Sequence, residues 1–119
     1  MNNFIKLKAK VWLETPLGSP LGYGKLELLL KIKECGSILK ASQELGMSYK
    51  KAWSLVEEIN RCFGKEIVKK QTGGAGGGGT KLTKTGEKIV EEFLRLKKEI
   101  ENLLAQREKV FEKILREEI

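Results

Sequence analysis

The chain has 119 residues, of which 33% are charged, and it carries 23 lysines and arginines against 16 acidic residues. That length suits one domain with a modest core rather than two independent domains. The sequence has no histidine and no aspartate, which excludes Ser-His-Asp triads, histidine metal sites and aspartate clusters for Mg²⁺. We therefore expect a protein that is not an enzyme, has no catalytic residues and no metal site, and binds a partner rich in negative charge.

The basic excess lies in the first two-thirds of the chain. Residues 1–80 carry a net charge of +6 and residues 81–119 a net charge of +1. Cys35 and Cys62 are far apart and are predicted to be small buried hydrophobes in a reducing cytoplasm. Alternating lysines near the N-terminus do not fit a signal peptide, and no run of 18 apolar residues occurs. We expect a cytoplasmic protein with no membrane partner.

The first forty residues give two predicted elements and a loop. Residues 5–14 alternate between apolar and mainly lysine side chains, which predicts a half-buried strand at a sheet edge. Residues 15–24 contain two prolines and three glycines, which predicts a loop. From Lys25 to Cys35 a broad leucine-rich face predicts a helix, and Gly36 suits its C-terminal cap.

Two further helices follow with a very short connection. Ser37 is the predicted N-cap of a helix that ends at Leu45, and Ser48 is the predicted N-cap of another that reaches about Cys62. Two such helices with a glycine in the turn predict a helix-turn-helix, whose second helix enters the DNA major groove. For each side chain on this second helix that could contact DNA, the alternative is that it is simply exposed to solvent at the start of a helix. The side chains predicted to contact DNA from this helix are Ser48, Tyr49, Lys50, Lys51 and Ser54.

A hairpin with a glycine-rich tip is predicted next. Residues 66–71 and 80–83 suit two strands, and residues 73–79 the loop between them, so the hairpin would be a wing. The loop satisfies GxGxxG, but a strand follows it where a dinucleotide site needs a helix. A backbone without Cβ atoms can approach sugar-phosphate closely, although a plain flexible tip is the alternative. The predicted backbone contacts are Lys40, Lys70, Thr72, Gly73, Gly74, Gly76, Gly77, Gly78, Thr80 and Lys81.

The last predicted helix is capped by Thr83 and runs from Lys84 to near the C-terminus. Its apolar residues follow a 4-3 spacing that only Arg107 interrupts, which favours a coiled-coil-like homodimer; packing on its own domain is the alternative. The predicted dimer interface is Ile89, Phe93, Leu96, Ile100, Leu103, Val110 and Ile114. The predicted fold is α+β, mainly α: a winged helix-turn-helix with an N-terminal strand in residues 1–83, and a long dimerisation helix in residues 84–119.

Several short motifs together resemble one known family. They are Gly36-Ser37-Ile38, Gly46-Met47-Ser48-Tyr49-Lys50 with Ala52-Trp53, the run Thr72-Gly73-Gly74-Ala75-Gly76-Gly77-Gly78-Gly79, and Leu82-Thr83-Lys84-Thr85-Gly86. Over about residues 20–95 the chain resembles the N-terminal domain of ModE-type molybdate-responsive transcription regulators. It is more distantly similar to the DNA-binding domain of LysR-type regulators.

The resemblance implies a dimer that binds palindromic double-stranded DNA and controls genes for molybdate or tungstate uptake or use. The family's oxyanion-binding β-domain has no counterpart in these 119 residues, so we expect no cofactor in this chain. A constitutive binder, a separate molybdate-sensing protein and an unrelated signal remain alternatives. So do two other functions of the same fold, a protein-interaction adaptor and a non-specific architectural DNA binder.

Overall fold

The computed structural model describes residues 4–71 and 79–117. Their elements in chain order are β1 (Leu13–Thr15), β2 (Gly18–Leu21), α1 (Tyr23–Cys35), α2 (Ile38–Leu45), α3 (Tyr49–Phe63), β3 (Val68–Lys70), β4 (Thr80–Leu82) and α4 (Lys84–Glu117). The strands form two separate antiparallel pairs, β1 with β2 and β3 with β4. The predicted mainly helical winged helix-turn-helix is confirmed. Two compact units result: residues 12–91, and residues 1–11 together with 92–119.

The core of the unit formed by residues 12–91 is built where α1, α2 and α3 meet β2 and the β3–β4 pair. Helix α1 contacts α2, β2 and β4, while α3 contacts α2 and β2. Burial of these leucine, isoleucine and valine side chains is the main stabilising term, at about 25 cal/mol per Å² of apolar surface. The core side chains of this unit are Leu21, Leu26, Leu28, Leu29, Ile32, Ile38, Ala41, Ala52, Val56, Ile59, Cys62, Ile67, Val68, Leu82 and Val90.

Serine and glycine caps fix the two helices of the helix-turn-helix. The Oγ atoms of Ser37 and Ser48 accept hydrogen bonds from the backbone N–H groups three residues later, at 3.1 and 3.0 Å. Between them, Gly46 ends α2 in the left-handed conformation, with φ of 69°. An L-residue with a side chain rarely adopts that conformation, whereas glycine does so at little cost. Only Gly46, Met47 and Ser48 separate α2 from α3.

The predicted loop over residues 15–24 is wrong in part, because β2 begins at Gly18. Pro16 and Leu17 form the turn of a β1–β2 hairpin in which the Thr15 hydroxyl donates to the Gly18 carbonyl oxygen over 3.1 Å. Prolines and glycines indicate a turn without showing that the chain folds back on itself. Pro20 lies within β2 because a two-stranded sheet leaves one edge of each strand unpaired, so a missing N–H costs nothing there.

Of the strand predicted over residues 5–14, only Leu13 and Glu14 are in a strand, since β1 is Leu13–Thr15. In the unit that includes residues 1–11, the backbone N–H groups of Ile5 and Leu7 donate to the carboxylates of Glu112 and Glu108 on α4, over 3.2 and 2.8 Å. On the predicted apolar side, Ile5, Leu7 and Val11 are half-buried, whereas Ala9 and Leu13 are exposed. The alternating pattern could not show that the partner of this segment is a helix with two carboxylates one turn apart rather than a strand.

Helix α4 spans 34 residues and therefore about 50 Å. The Thr83 side chain caps it, since its Oγ1 accepts from the Gly86 N–H over 3.0 Å, which confirms the predicted start. Charged residues recur along its whole length, and no helix among residues 4–71 and 79–117 is long and apolar enough to cross a membrane.

Candidate nucleic-acid interface

The N-cap and the first two turns of α3 carry the side chains that are predicted from the sequence to contact DNA. Ser48, Tyr49, Lys50, Lys51 and Ser54 are all exposed, and Tyr49 as a residue is 44% exposed. All of these except Tyr49 join Leu55 in lining a shallow groove along the helix. They share a surface because Ala52 and Val56 face the core, which leaves the opposite side of the helix exposed to solvent.

Trp53 couples this helix to the hairpin. The structure places the side chain half-buried, with the Lys70 ammonium 4.5 Å from the ring centroid. A cation–π contact of this kind contributes about 0.5–1 kcal/mol at an exposed site. Lys70, a predicted backbone contact, is therefore held beside α3.

Asn60 also attaches the hairpin to α3, and sequence reasoning missed it. Its Oδ1 accepts from the Ile67 and Val68 N–H groups over 2.8 and 3.2 Å, and its Nδ2 donates to the Val68 carbonyl over 3.1 Å. The Asn60 side chain therefore hydrogen-bonds to two backbone N–H groups and one carbonyl group at the start of β3. The sequence signal for this role was that Asn60 is the one side-chain amide in α3.

Asn60→Ala is expected to lower the free energy of unfolding by about 1–3 kcal/mol, because it leaves part-buried N–H and C=O groups without partners. Urea denaturation at a fixed protomer concentration measures the change. Gln43→Ala is the matched control, since this exposed amide lies on α2 and should shift stability by less than about 0.5 kcal/mol. Equal stabilities of the two variants would contradict the role given to Asn60.

The base of the hairpin docks on the turn between α1 and α2. The Thr80 N–H donates to the Gly36 carbonyl over 2.9 Å, and the Gln71 N–H donates to the Gly79 carbonyl over 2.8 Å. A Cβ at Gly79 would lie 2.9 Å from the Gly36 oxygen, so this glycine permits a close approach of two backbones. The predicted contacts Thr72, Gly73, Gly74, Gly76, Gly77 and Gly78 lie outside the described residues.

Lysine side chains of residues 12–91 fall into two groups by their partners. Those on α1 pair with glutamates: Lys25 with Glu58, Lys31 with Glu34 and Glu44, and Lys33 with Glu87. The lysines on α2, α3, the hairpin and the start of α4 have no carboxylate within 4.0 Å among the described residues. They are Lys40, Lys50, Lys51, Lys69, Lys70, Lys81, Lys84 and Lys88; Lys65, between α3 and β3, likewise has no such partner, and all nine are exposed. Positive charge is left uncompensated on the elements that carry the predicted interface.

Two of these lysines oppose each other directly across the hairpin. Lys69 and Lys81 are paired residues of β3 and β4, and both side chains are exposed. Like charges directly opposite on a sheet are destabilising, so the pair weakens the free hairpin. A phosphate placed between the two ammonium groups would relieve that repulsion.

Cys35 is half-buried, so the prediction that it is a buried core residue is wrong. Its Sγ donates to Glu44 over 3.4 Å, because the end of α1 lies at the rim of the core. Burial, and then the Glu44 hydrogen bond, raise the pKa of this thiol, while the Lys31 hydrogen bond lowers the pKa of Glu44.

The side chains of Glu34, Cys35 and Glu44 each offer one atom that could ligate a metal ion, and these atoms lie within 4.8 Å of one another. The Lys31 ammonium, however, already pairs with both carboxylates. Cys62 is buried as predicted.

The predicted dimer residues of α4 divide by exposure. Phe93 is only 3% exposed within its own chain, and Ile89 and Ile100 are half-buried. Leu96, Leu103, Val110 and Ile114 are exposed, with Leu103 and Ile114 at 50% and 48%. Phe111 and Leu115 extend the same exposed apolar surface. We call these last six side chains, from Leu96 to Leu115, the outer stripe.

A helix-turn-helix followed at once by a β-hairpin that docks on it defines the winged-helix class of DNA-binding domains. The helices, the three-residue turn and the hairpin strands are all present in the described residues. Comparison with known proteins makes the class more specific.

Residues 23–87 match the bacterial regulatory helix-turn-helix proteins of the LysR family, and the chain belongs to that family. It is 36% identical over 92 residues to the molybdenum-pterin-binding protein MopB of Rhodobacter capsulatus, covering 77% of this chain and 34% of that protein. It is 34% identical over 96 residues to the molybdenum transport protein ModE of Azotobacter vinelandii, covering 81% and 36%. The DNA-binding transcriptional dual regulator ModE of Escherichia coli is 37% identical over 67 residues, covering 56% and 26%.

The resemblance to ModE-type regulators predicted from sequence is thereby confirmed. The chain spans between about a quarter and a third of the length of these relatives.

Proposed function

We propose that the chain is a sequence-specific DNA-binding transcription regulator that binds palindromic operator DNA as a homodimer. The observation that carries the proposal is the exposed surface of α3, which combines two lysines, two serines and a tyrosine beside a hairpin of uncompensated lysines. Helix α3 would read base edges in the major groove. The hairpin and the remaining lysines would contact the sugar-phosphate backbone, which positions the helix without reading sequence.

The outer stripe supports the homodimer. An isolated helix with this much exposed leucine, valine, isoleucine and phenylalanine surface would be unfavourable in water, and a second copy of α4 would cover it. Two half-sites about one helical turn apart, roughly 34 Å, would then face the two reading helices.

Molybdenum-related genes are the target class that we propose, because the relatives' names connect them with molybdenum. An oxyanion signal would come from a site outside the described residues, on a separate sensing protein or elsewhere. Every buried side-chain nitrogen and oxygen in the part of the chain that the structure describes already has a hydrogen-bond partner.

Tyr49→Ala combined with Lys50→Ala is expected to reduce discrimination between operator and unrelated DNA more than it reduces non-specific affinity. Each well-placed base contact supplies about 1–3 kcal/mol of discrimination, so the specificity ratio should fall about tenfold or more. Fluorescence anisotropy titrations on a palindromic duplex and on unrelated DNA measure both affinities. Lys33→Ala is the matched control, because this lysine lies on α1 paired with Glu87 and should leave discrimination unchanged.

An equal loss of affinity for both kinds of DNA would contradict the reading role of α3. It would favour a non-specific architectural binder. A folded dimer with no DNA affinity at low salt would instead favour a protein-interaction adaptor that acts through the outer stripe.

Leu103→Glu combined with Ile114→Glu is expected to convert the dimer into a folded monomer, since each change would place a charge in an apolar contact without a partner. Sedimentation equilibrium measures the mass. Leu17→Glu is the matched control, because Leu17 is also exposed but lies in the β1–β2 turn, outside α4. A native chain that is monomeric at every concentration would contradict the dimer.

A further inference from the structure

The exposed polar side chains at the start of α3 are two ammonium groups, which only donate hydrogen bonds, and three hydroxyls, which donate and accept. Lys50 and Lys51 carry ammonium groups, which donate and never accept. The Ser48 Oγ already accepts from the Lys51 N–H over 3.0 Å, which leaves its O–H free to donate outward. From Ser48 to Val56 there is no carboxylate and no side-chain amide, and the first carboxylate, Glu57, lies about two turns beyond Lys50.

Apolar surface accompanies these donors. Leu55 is half-buried and lines the groove with Ser48, Lys50, Lys51 and Ser54, and the Tyr49 ring is exposed in the first turn of the same helix. Lys50 and Ser54 are four residues apart, so they lie one above the other on the same side of the helix.

Each base presents its own pattern in the major groove. Guanine offers two acceptors, N7 and O6, and thymine offers the O4 acceptor with a methyl group. Adenine and cytosine each present an amino donor, from which an ammonium group cannot accept; on this surface only the serine and tyrosine hydroxyls can. The usual partners of adenine are asparagine and glutamine, and those of cytosine are glutamate and aspartate; all of these are absent from residues 48–56.

We propose that the first two turns of α3 read guanine and thymine edges in each half-site, with Lys50 donating to guanine N7 and O6 while the Tyr49 ring and Leu55 contact thymine methyl groups. This inference rests on the proposed function and names the bases that it would recognise. The hydroxyls of Ser48 and Ser54 would supply the neighbouring donors.

The test begins with double-stranded DNA of random sequence, from which the full chain selects its preferred site. Each guanine of one selected half-site is then replaced by 7-deazaguanine, which lacks the N7 acceptor, and each thymine by deoxyuridine, which lacks the methyl group. One guanine replacement is expected to weaken binding about five- to hundredfold, and one or more thymine replacements about two- to tenfold.

Two variants assign the guanine to Lys50. Lys50→Ala should bind the natural and 7-deazaguanine sites equally, because an alanine side chain cannot donate to N7. Lys50→Gln should prefer adenine at that position, since a glutamine amide matches adenine N6 and N7. Lys33→Ala should keep the native sensitivity to 7-deazaguanine.

Failure of this inference is distinct from failure of the proposed function. A specific selected site in which every 7-deazaguanine replacement weakens binding less than about twofold, against the range expected for a base contact, would overturn the inference and leave the function standing. Full sensitivity retained in Lys50→Ala would overturn the role of Lys50. Selection that enriches no sequence would overturn the function and the inference together.

Discussion

Raising the salt concentration from 50 to 200 mM is expected to weaken DNA binding by about 10³- to 10⁵-fold. The physical reason is counterion release: each neutralised phosphate frees condensed cations, and about six to ten contacts give a change of this size. The lysines of α2, α3, the hairpin and the start of α4 are free to make such contacts, because none has a carboxylate within 4.0 Å in the described ranges. Anisotropy titrations at several salt concentrations give the slope of log affinity against log salt.

The opposed pair on the hairpin allows a sharper form of this experiment. Lys69→Ala combined with Lys81→Ala should lower the magnitude of the slope by about 2, one for each phosphate that the variant no longer neutralises. The same change should leave the fold as stable as before, since it removes a cross-strand repulsion. Lys31→Ala combined with Lys33→Ala is the matched control, because these lysines pair with glutamates and should not alter the slope. A slope near zero for the native chain would contradict the phosphate contacts.

Gly86→Ala is expected to destabilise the protein by about 2–3 kcal/mol, although alanine is normally the better helix former by about 1 kcal/mol. Gly86 lies in the first turn of α4, against the backbone that leads into β3. A Cβ there would lie 2.3 Å from the Ile67 carbonyl oxygen and 3.1 Å from the Ile67 carbonyl carbon. Because this contact is with backbone atoms, it can be relieved only by moving the start of α4 or the segment that leads into β3. Urea denaturation at a fixed protomer concentration measures the change in stability.

Gly24→Ala is the matched control for this prediction. Gly24 is also in the first turn of a helix, but a Cβ there meets no atom within 4 Å. That variant should be as stable as the native chain or up to about 1 kcal/mol more stable. A Gly86→Ala variant that gains stability as Gly24→Ala does would show that α4 does not begin in close contact with Ile67.

The helix-turn-helix could be predicted because its signals are local. Ser37, Gly46 and Ser48 cap or end helices through groups within a few residues, and the apolar spacing of each helix marks its buried side. The hairpin strands and the start of α4 at Thr83 followed for the same reason. The resemblance to ModE-type regulators could be recognised because its motifs lie in these same short segments.

What could not be predicted depends on contacts between distant residues. The pairing of Ile5 and Leu7 with carboxylates on α4 spans more than 100 residues of chain, and an alternating pattern does not name its partner. Asn60 pairs with a strand beyond its own helix, and Gly86 has its role only because Ile67 lies against it.

The residues proposed to contact DNA and the partner protomer stay predictions. The structure places Ser48, Lys50, Lys51 and Ser54 together along one groove. It also leaves part of the predicted dimer surface, the outer stripe, exposed. Both arrangements are compatible with the proposed contacts, which only binding and mass measurements can test.

The most direct test of the central claim is the ratio of two affinities at one fixed salt concentration. Binding of the full chain is measured on a palindromic site selected from random DNA and on an unrelated duplex of the same length and base composition. A regulator that reads sequence through α3 should bind the selected site at least about 10³-fold more tightly. A ratio near one, in a folded protein that still binds both duplexes, would contradict the account.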